Sequence, residues 1–181
     1  FTSREAMDID GVGPAVLEQM VNAGLVHNPA DLYSLTVQDI AQLDRMGEKS
    51  ARNAVHAIEE SRSRDLSKLL CALGIRQIGA KAAQVLARRF GSFDALAAAT
   101  EEDLTAIDDV GGITAKCLRQ WLESPQSKDL ISRLKAAGVN MECHDMPTAD
   151  TLTGKTFVLT GTLSSLGRKE AEEAIARLGG K

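Results

Sequence analysis

Ile9-Asp10-Gly11-Val12-Gly13 opens a pattern that recurs as Leu43-Asp44-Arg45-Met46-Gly47, Ile75-Arg76-Gln77-Ile78-Gly79 and Ile107-Asp108-Asp109-Val110-Gly111. The closing glycines are spaced by 34, 32 and 32 residues. Each copy has one apolar residue directly before the glycine and another four before it. Four residues after the glycine come Leu17, Ala51, Ala83 and Ala115, and seven after it Met20, Ala54, Leu86 and Leu118. That spacing marks one face of a helix. The unit reads as helix, tight turn, helix, so the chain is expected to be mainly α.

The copies also pair at a higher level. Thr36, Asp39, Ile40, Leu43, Asp44 and Gly47 return 64 residues later as Thr100, Asp103, Leu104, Ile107, Asp108 and Gly111. Two double units in tandem are the simplest reading. Thr36 and Thr100 are expected helix N-caps, with Asp39 and Asp103 as short-armed capping-box partners.

A glycine turn permits φ > 0 and lets the backbone approach whatever lies beyond it. The amides of the turn and of the next helical turn have no intrahelical partner and can donate to a phosphate, aided by the helix dipole. Ile9-Asp10-Gly11-Val12-Gly13 and its sister turns resemble helix-hairpin-helix elements, a family that grips DNA backbones without reading sequence. A single such hairpin is equally well a packing unit, but four in register favour the DNA reading. Only the first turn keeps both glycines; Arg45, Gln77 and Asp109 replace the earlier one. The acidic fourth turn is expected to be structural.

With 181 residues, 44% of them apolar, the chain can form one or two globular domains. Its net charge of −4 argues mildly against a nucleic-acid partner until the distribution is examined. From Arg45 to Phe90 ten basic residues face four acidic ones, a window of +6 that leaves −10 elsewhere. Lys49 and Lys81 each fall two residues after a turn glycine, where a cation opposes the helix dipole unless an anion sits between them. A solvated basic face is the competing explanation.

Cys71, Cys117 and Cys143 are too scattered for a metal site and too few for a disulfide framework, which fits a reduced, cytosolic setting. Cys71 and Cys117 read as core residues, and Cys143-His144 as a surface pair. No apolar run approaches the length of a membrane span.

The chain opens on Phe1-Thr2-Ser3-Arg4-Glu5-Ala6-Met7-Asp8 without a methionine. It reads as a piece of something longer, with Ser3 capping a helix that leads into the first turn. Near the other end, residues 126–137 form an amphipathic helix stopped by Gly138, and 139–143 an extended run. The domain reading is 1–143 for the repeats, 144–151 as linker and 152–181 as an incomplete second domain. In that last part Thr156-Phe157-Val158-Leu159-Thr160 is an expected strand and Arg168 to Leu178 an expected helix. About 31 residues are too few for a core, since folds below roughly 40 usually need staples. Gly154-Lys155-Thr156 is no phosphate loop, because Ala149 stands where that pattern needs a glycine.

Leu152-Thr153-Gly154-Lys155-Thr156-Phe157-Val158-Leu159-Thr160-Gly161-Thr162-Leu163, with Arg168-Lys169-Glu170-Ala171 and Gly179-Gly180-Lys181, resembles the first strand and helix of a BRCT domain. Four helix-hairpin-helix elements followed by a BRCT start resemble the carboxyl-terminal region of the bacterial NAD-dependent DNA ligase family. The runs Phe1 to Gly13, Leu43 to Ala51 and Ala72-Leu73-Gly74-Ile75-Arg76 share in that resemblance, which covers essentially the whole chain.

The resemblance implies a parent enzyme that adenylates a lysine from NAD, activates the 5′-phosphate of a nick and seals it with Mg²⁺ in replication and repair. It also implies that the adenylation domain, an oligonucleotide-binding fold and a four-cysteine structural Zn²⁺ module lie upstream. This segment would then hold no catalytic residue, cofactor or metal and would be inactive alone. Its implied partners are duplex or nicked DNA and the upstream ligase domains, as a monomer in a bacterial cytoplasm. The implied DNA-binding residues are Gly11, Val12, Gly13, Arg45, Met46, Gly47, Lys49, Arg76, Ile78, Gly79, Lys81 and Gly111. A dimerisation or protein-interaction module, with Thr160-Gly161 as a phosphopeptide-binding pair, is the alternative, and a repair-nuclease or junction-binding module stands behind it.

Overall fold

Every helix that follows a turn glycine begins at the very next residue. Gly13, Gly47, Gly79 and Gly111 are the N-caps of α1 (Pro14–Asn22), α3 (Glu48–Ser61), α5 (Ala80–Phe90) and α8 (Gly112–Glu123). The structure, a computed structural model, describes residues 1–145, 152, 155–158, 160 and 167–178. It divides into two compact units, Phe1–Cys143 and His144–Lys181.

In the first unit three turns are entered from a helix: α2 (Val37–Ala41), α4 (Leu66–Ala72) and α7 (Glu101–Thr105). Each of these packs on the helix that follows its turn. The capping boxes at Thr36 and Thr100 form as expected, with each threonine hydroxyl accepting from the third residue's amide and each aspartate accepting from the cap's amide. Those hydrogen bonds hold the Asp39 and Asp103 carboxyls below their ordinary value of 3.8, led by the Thr36 hydroxyl at Asp39 and the Thr100 amide at Asp103.

The first repeat departs from the expected pattern. Residues 3–7 form a turn, not a helix capped by Ser3. The Ser3 carbonyl accepts from Ala6 (2.9 Å) and Asp8 (3.0 Å), and Met7 reaches back to Phe1 (3.1 Å). None of these is the i→i−4 bond of an α-helix. Burial of Ala6 and Met7 holds it in place instead.

The apolar stripe read from the repeats is the core. Met20, Ala51, Ala54, Ala83, Leu86, Ala115 and Leu118 are fully enclosed, joined by Ile40, Ile58, Leu66, Leu69, Leu70 and Leu104. Each enclosed leucine or isoleucine contributes on the order of 1.5–3 kcal/mol. Leu17 is half-buried at the rim.

A 3-10 helix (Pro29–Ser34), α6 (Phe93–Ala98) and α9 (Pro125–Ala136) complete the unit. Arg62, beyond the end of α3, is its main polar junction. It pairs with Glu59 (2.7 Å), donates to the carbonyls of Tyr33 (3.0 Å) and Ala137, and lies 4.9 Å from the centre of the Tyr33 ring. Tyr33 in turn shares a buried hydrogen bond with Ser61 (3.1 Å).

After Gly138, residues 139–143 thread between the 62–66 junction and the 91–93 corner of the second double unit. Asn140 N–H donates to Arg62 (2.8 Å) and Leu66 N–H to Glu142 (3.2 Å) on one side; Phe93 N–H donates to Met141 (2.9 Å) and Cys143 N–H to Gly91 (2.7 Å) on the other. This threading corrects the surface placement of Cys143, which is buried, because the extended run is walled in on both flanks. Cys71 and Cys117 are only partly buried, at the edge of the core rather than inside it.

In the second unit α10 (Arg168–Arg177) matches the expected helix. Its Ala171 is buried, and Gly167 N–H donates to Glu170 Oε2 (2.8 Å). The expected strand is not formed among the described residues. Residues 155–158 carry no ladder, and Phe157 and Val158 are 40% and 81% exposed. Leu159, Gly161, Met146 to Asp150 and Gly179 to Lys181 lie outside the described residues.

Candidate nucleic-acid interface

The four turns share one backbone. The position two before each glycine is left-handed, with φ of 81° at Gly11, 60° at Arg45, 68° at Gln77 and 69° at Asp109. The positive φ therefore belongs to this earlier position and not to the repeat glycine. Next comes the apolar residue, whose amide turns back on the residue three before it: Val12 to Ile9 (3.4 Å), Met46 to Leu43 (3.1 Å), Ile78 to Ile75 (3.0 Å) and Val110 to Ile107 (3.1 Å). Val12, Ile78 and Val110 bury their side chains, and Met46 half-buries its own. Val12, Met46 and Ile78 thus anchor the turns, and their amides are not the free donors that the sequence reading assigned to them.

The glycine itself has φ between −75° and −95° and an extended ψ, an ordinary conformation for any residue. A Cβ added at Gly13, Gly47, Gly79 or Gly111 would meet no atom within 4 Å. All four are exposed, and none of their helices receives a side-chain cap. Among the described residues the glycine amides have no acceptor, and neither do those of the next two residues, apart from Pro14, which lacks one. Each turn therefore presents outward-facing N–H groups at the positive end of a helix dipole. An anion fits there on both counts.

The turns come in joined pairs. Gly11 backs onto Ala54 of α3, where a Cβ would sit 3.6 Å away. An open cleft of about 340 Å³ between turns one and two is lined by Asp10, Gly11, Met46, Ser50 and Asn53. Gln19 of α1 ties the pair further, accepting from Asp44 N–H (2.7 Å) and donating to its carbonyl (3.3 Å). Turns three and four are joined by a side-chain bridge, Lys81 Nζ to Asp109 Oδ2 at 3.1 Å.

The basic window resolves into two groups. Arg62 and Arg64 serve the fold, the latter pairing with Asp8 (3.1 Å), and Arg52 pairs with Glu48 one turn back on α3. Lys49 and Arg76 are exposed beside their turns with no ion pair among the described residues, whereas Arg45 leans only on its neighbour Asp44 (3.7 Å). Ser50 and Asn53 escaped the sequence reading. They lie three and six residues after Gly47, on the face of α3 that turns toward the cleft, and their small polar side chains gave no charge signal.

A family model for a SAM-like helix-hairpin-helix tandem matches residues 3–60, and one for a helix-hairpin-helix motif matches residues 68–131. Proteins named DNA ligase align with the chain from end to end. That of Carboxydothermus hydrogenoformans is 50% identical over 181 residues, that of Heliobacterium modesticaldum 48% over 184 and that of Brevibacillus brevis 49% over 191. The chain is a tandem of helix-hairpin-helix units, similar along its whole length to a segment of these ligases. It spans little more than a quarter of those ligases, 27% of the first two and 28% of the third, while each alignment covers the whole chain. The boundary between the two family matches, residues 61–67, coincides with the Arg62 junction between the two double units. No helix among the described residues is long and apolar enough to cross a membrane.

Proposed function

We propose that this segment grips duplex DNA through its backbone phosphates, without sequence preference, as the DNA-holding part of an NAD-dependent ligase that seals nicks. One observation carries the reading. Glycine stands at 13, 47, 79 and 111, yet the fold needs no glycine there, since the dihedrals are ordinary and the space around each is empty. The side chain is missing on the outer surface, where only an external body gains from its absence. Beside it the free amides and Lys49, Arg76 and Arg45 supply donors and charge suited to phosphate.

Adenylation and sealing belong to the parent's other domains, with NAD, Mg²⁺ and Zn²⁺ bound there. Among the described residues no three His, Cys, Asp or Glu side chains are grouped as metal ligands, and the proposed role uses none. The contribution of this chain is positioning: amides hold phosphates at fixed spacing and leave the nick to the catalytic domains.

The test is fluorescence anisotropy of the chain with nicked and intact duplexes across salt. Neutralising about four to six phosphates gives a slope of log affinity on log salt of roughly −4 to −5. Nicked and intact duplexes should bind alike. A slope near zero, or marked preference for one base sequence, defeats the proposal.

A further inference from the structure

The two pairs of turns are not electrostatically equivalent. Lys49 of the first pair and Lys81 of the second occupy the same position, the second residue of α3 and of α5. Lys49 has no ion-pair partner among the described residues. Lys81 is bound at 3.1 Å by the carboxylate of Asp109, which sits at the left-handed position of turn four. In turn one that position is glycine and in turn two it is arginine. Both partners stay accessible, with the lysine side chain 78% and the aspartate 49% exposed, so an incoming anion can compete for the ammonium.

We propose that Asp109 is an internal competitor for phosphate at the second pair of turns, holding Lys81 until DNA displaces it. This rests on the DNA-binding reading above and adds to it a residue that weakens the grip. The exchange has a definite ionic balance. When a phosphate takes Lys81, the DNA sheds a counterion, but the released Asp109 carboxylate gains one. Lys81 then contributes almost nothing to the salt dependence of binding, whereas Lys49 contributes a full phosphate contact. The second pair of turns is thereby the weaker and more readily released half.

The experiment compares salt slopes of the full chain on one fluorescein-labelled duplex. Lys49→Gln should flatten the slope by about 0.9, and Lys81→Gln should leave it nearly unchanged. Asp109→Asn keeps the size and suits a left-handed residue. It should tighten binding about 2- to 5-fold at low salt, the range of an exposed ion pair, and steepen the slope by about 0.9. In a Lys81→Gln background that steepening should vanish. Equal flattening by Lys49→Gln and Lys81→Gln overturns the proposal, as does steepening by Asp109→Asn that persists without Lys81. Failure of the wild-type chain to bind any duplex overturns the DNA reading itself, and is distinguished by the absence of any anisotropy rise with wild type at low salt.

Discussion

Replacing Gly47 and Gly79 by serine separates what the fold needs from what a partner needs. Both glycines are N-caps in extended conformation, with φ/ψ of −80°/167° and −95°/−174°, and neither has an atom within 4 Å of an added Cβ. Serine fits without strain and can accept a hydrogen bond from an amide of the following turn. That exchange is worth a few tenths of a kcal/mol per site over glycine. Gly47→Ser/Gly79→Ser should therefore melt in urea at the same or a slightly higher midpoint. The same hydroxyl occupies an amide that a phosphate would take, and its Cβ holds the phosphate off. A hydrogen bond to a charged group is worth about 1.5–3 kcal/mol, so affinity for a duplex should fall at least tenfold per site. Anisotropy at fixed salt reads the binding, and circular dichroism in urea reads the fold. Unchanged affinity in a folded double variant would falsify the argument that these glycines face DNA. A collapse in stability would show that they serve the fold after all.

Arg62→Ala should destabilise the first unit by about 3 kcal/mol, since it removes charged hydrogen bonds to the Tyr33 and Ala137 carbonyls and a ring contact. Urea melts measure this, and a loss below about 0.5 kcal/mol would refute the junction role. Asp39 and Asp103 have folded pKa values below 3.8, so their capping contribution is complete above that pH and disappears as acid protonates them in the folded state. The stability gap between wild type and Asp39→Asn/Asp103→Asn should be constant near neutrality and close below about pH 3.8; a gap that instead closes around neutral pH contradicts the assignment. Cys143 should react with a thiol reagent only as fast as the unit opens, while Cys71 and Cys117 react in the native state. Immediate labelling of Cys143 in Cys71→Ser/Cys117→Ser would contradict its burial.

The repeat made the helix starts, the core stripe and both capping boxes legible, because each rests on neighbours within one or two helical turns. Val12, Ile78 and Val110 were readable as buried for the same reason. The left-handed residue of each turn was not. Arg45 and Gln77 are side chains that give no local sign of positive φ, Asp109 gives only a weak one, and that freedom attaches more readily to the glycine two positions later. Contacts across long stretches of chain were also hidden. Lys81 and Asp109 are 28 residues apart, and Asn140 returns to Arg62 over 78. Lys49 and Lys81 therefore looked alike in sequence and differ only through a partner that the fold supplies. Residues 156–158 show the converse: β-propensity marked a strand, but propensity alone does not name the partner that a ladder needs.

The extended run 139–143 has a consequence for synthesis on the ribosome. It is the last part of the first unit to emerge, and its four backbone hydrogen bonds reach Arg62 and Leu66 at the junction and Gly91 and Phe93 in the second double unit. Each hairpin pair can collapse as soon as its own helices are out. The seating of the second pair's Gly91–Phe93 corner against the 62–66 junction waits for residue 143. A nascent chain thus passes through a stage with its hairpin pairs formed and the junction not yet clasped.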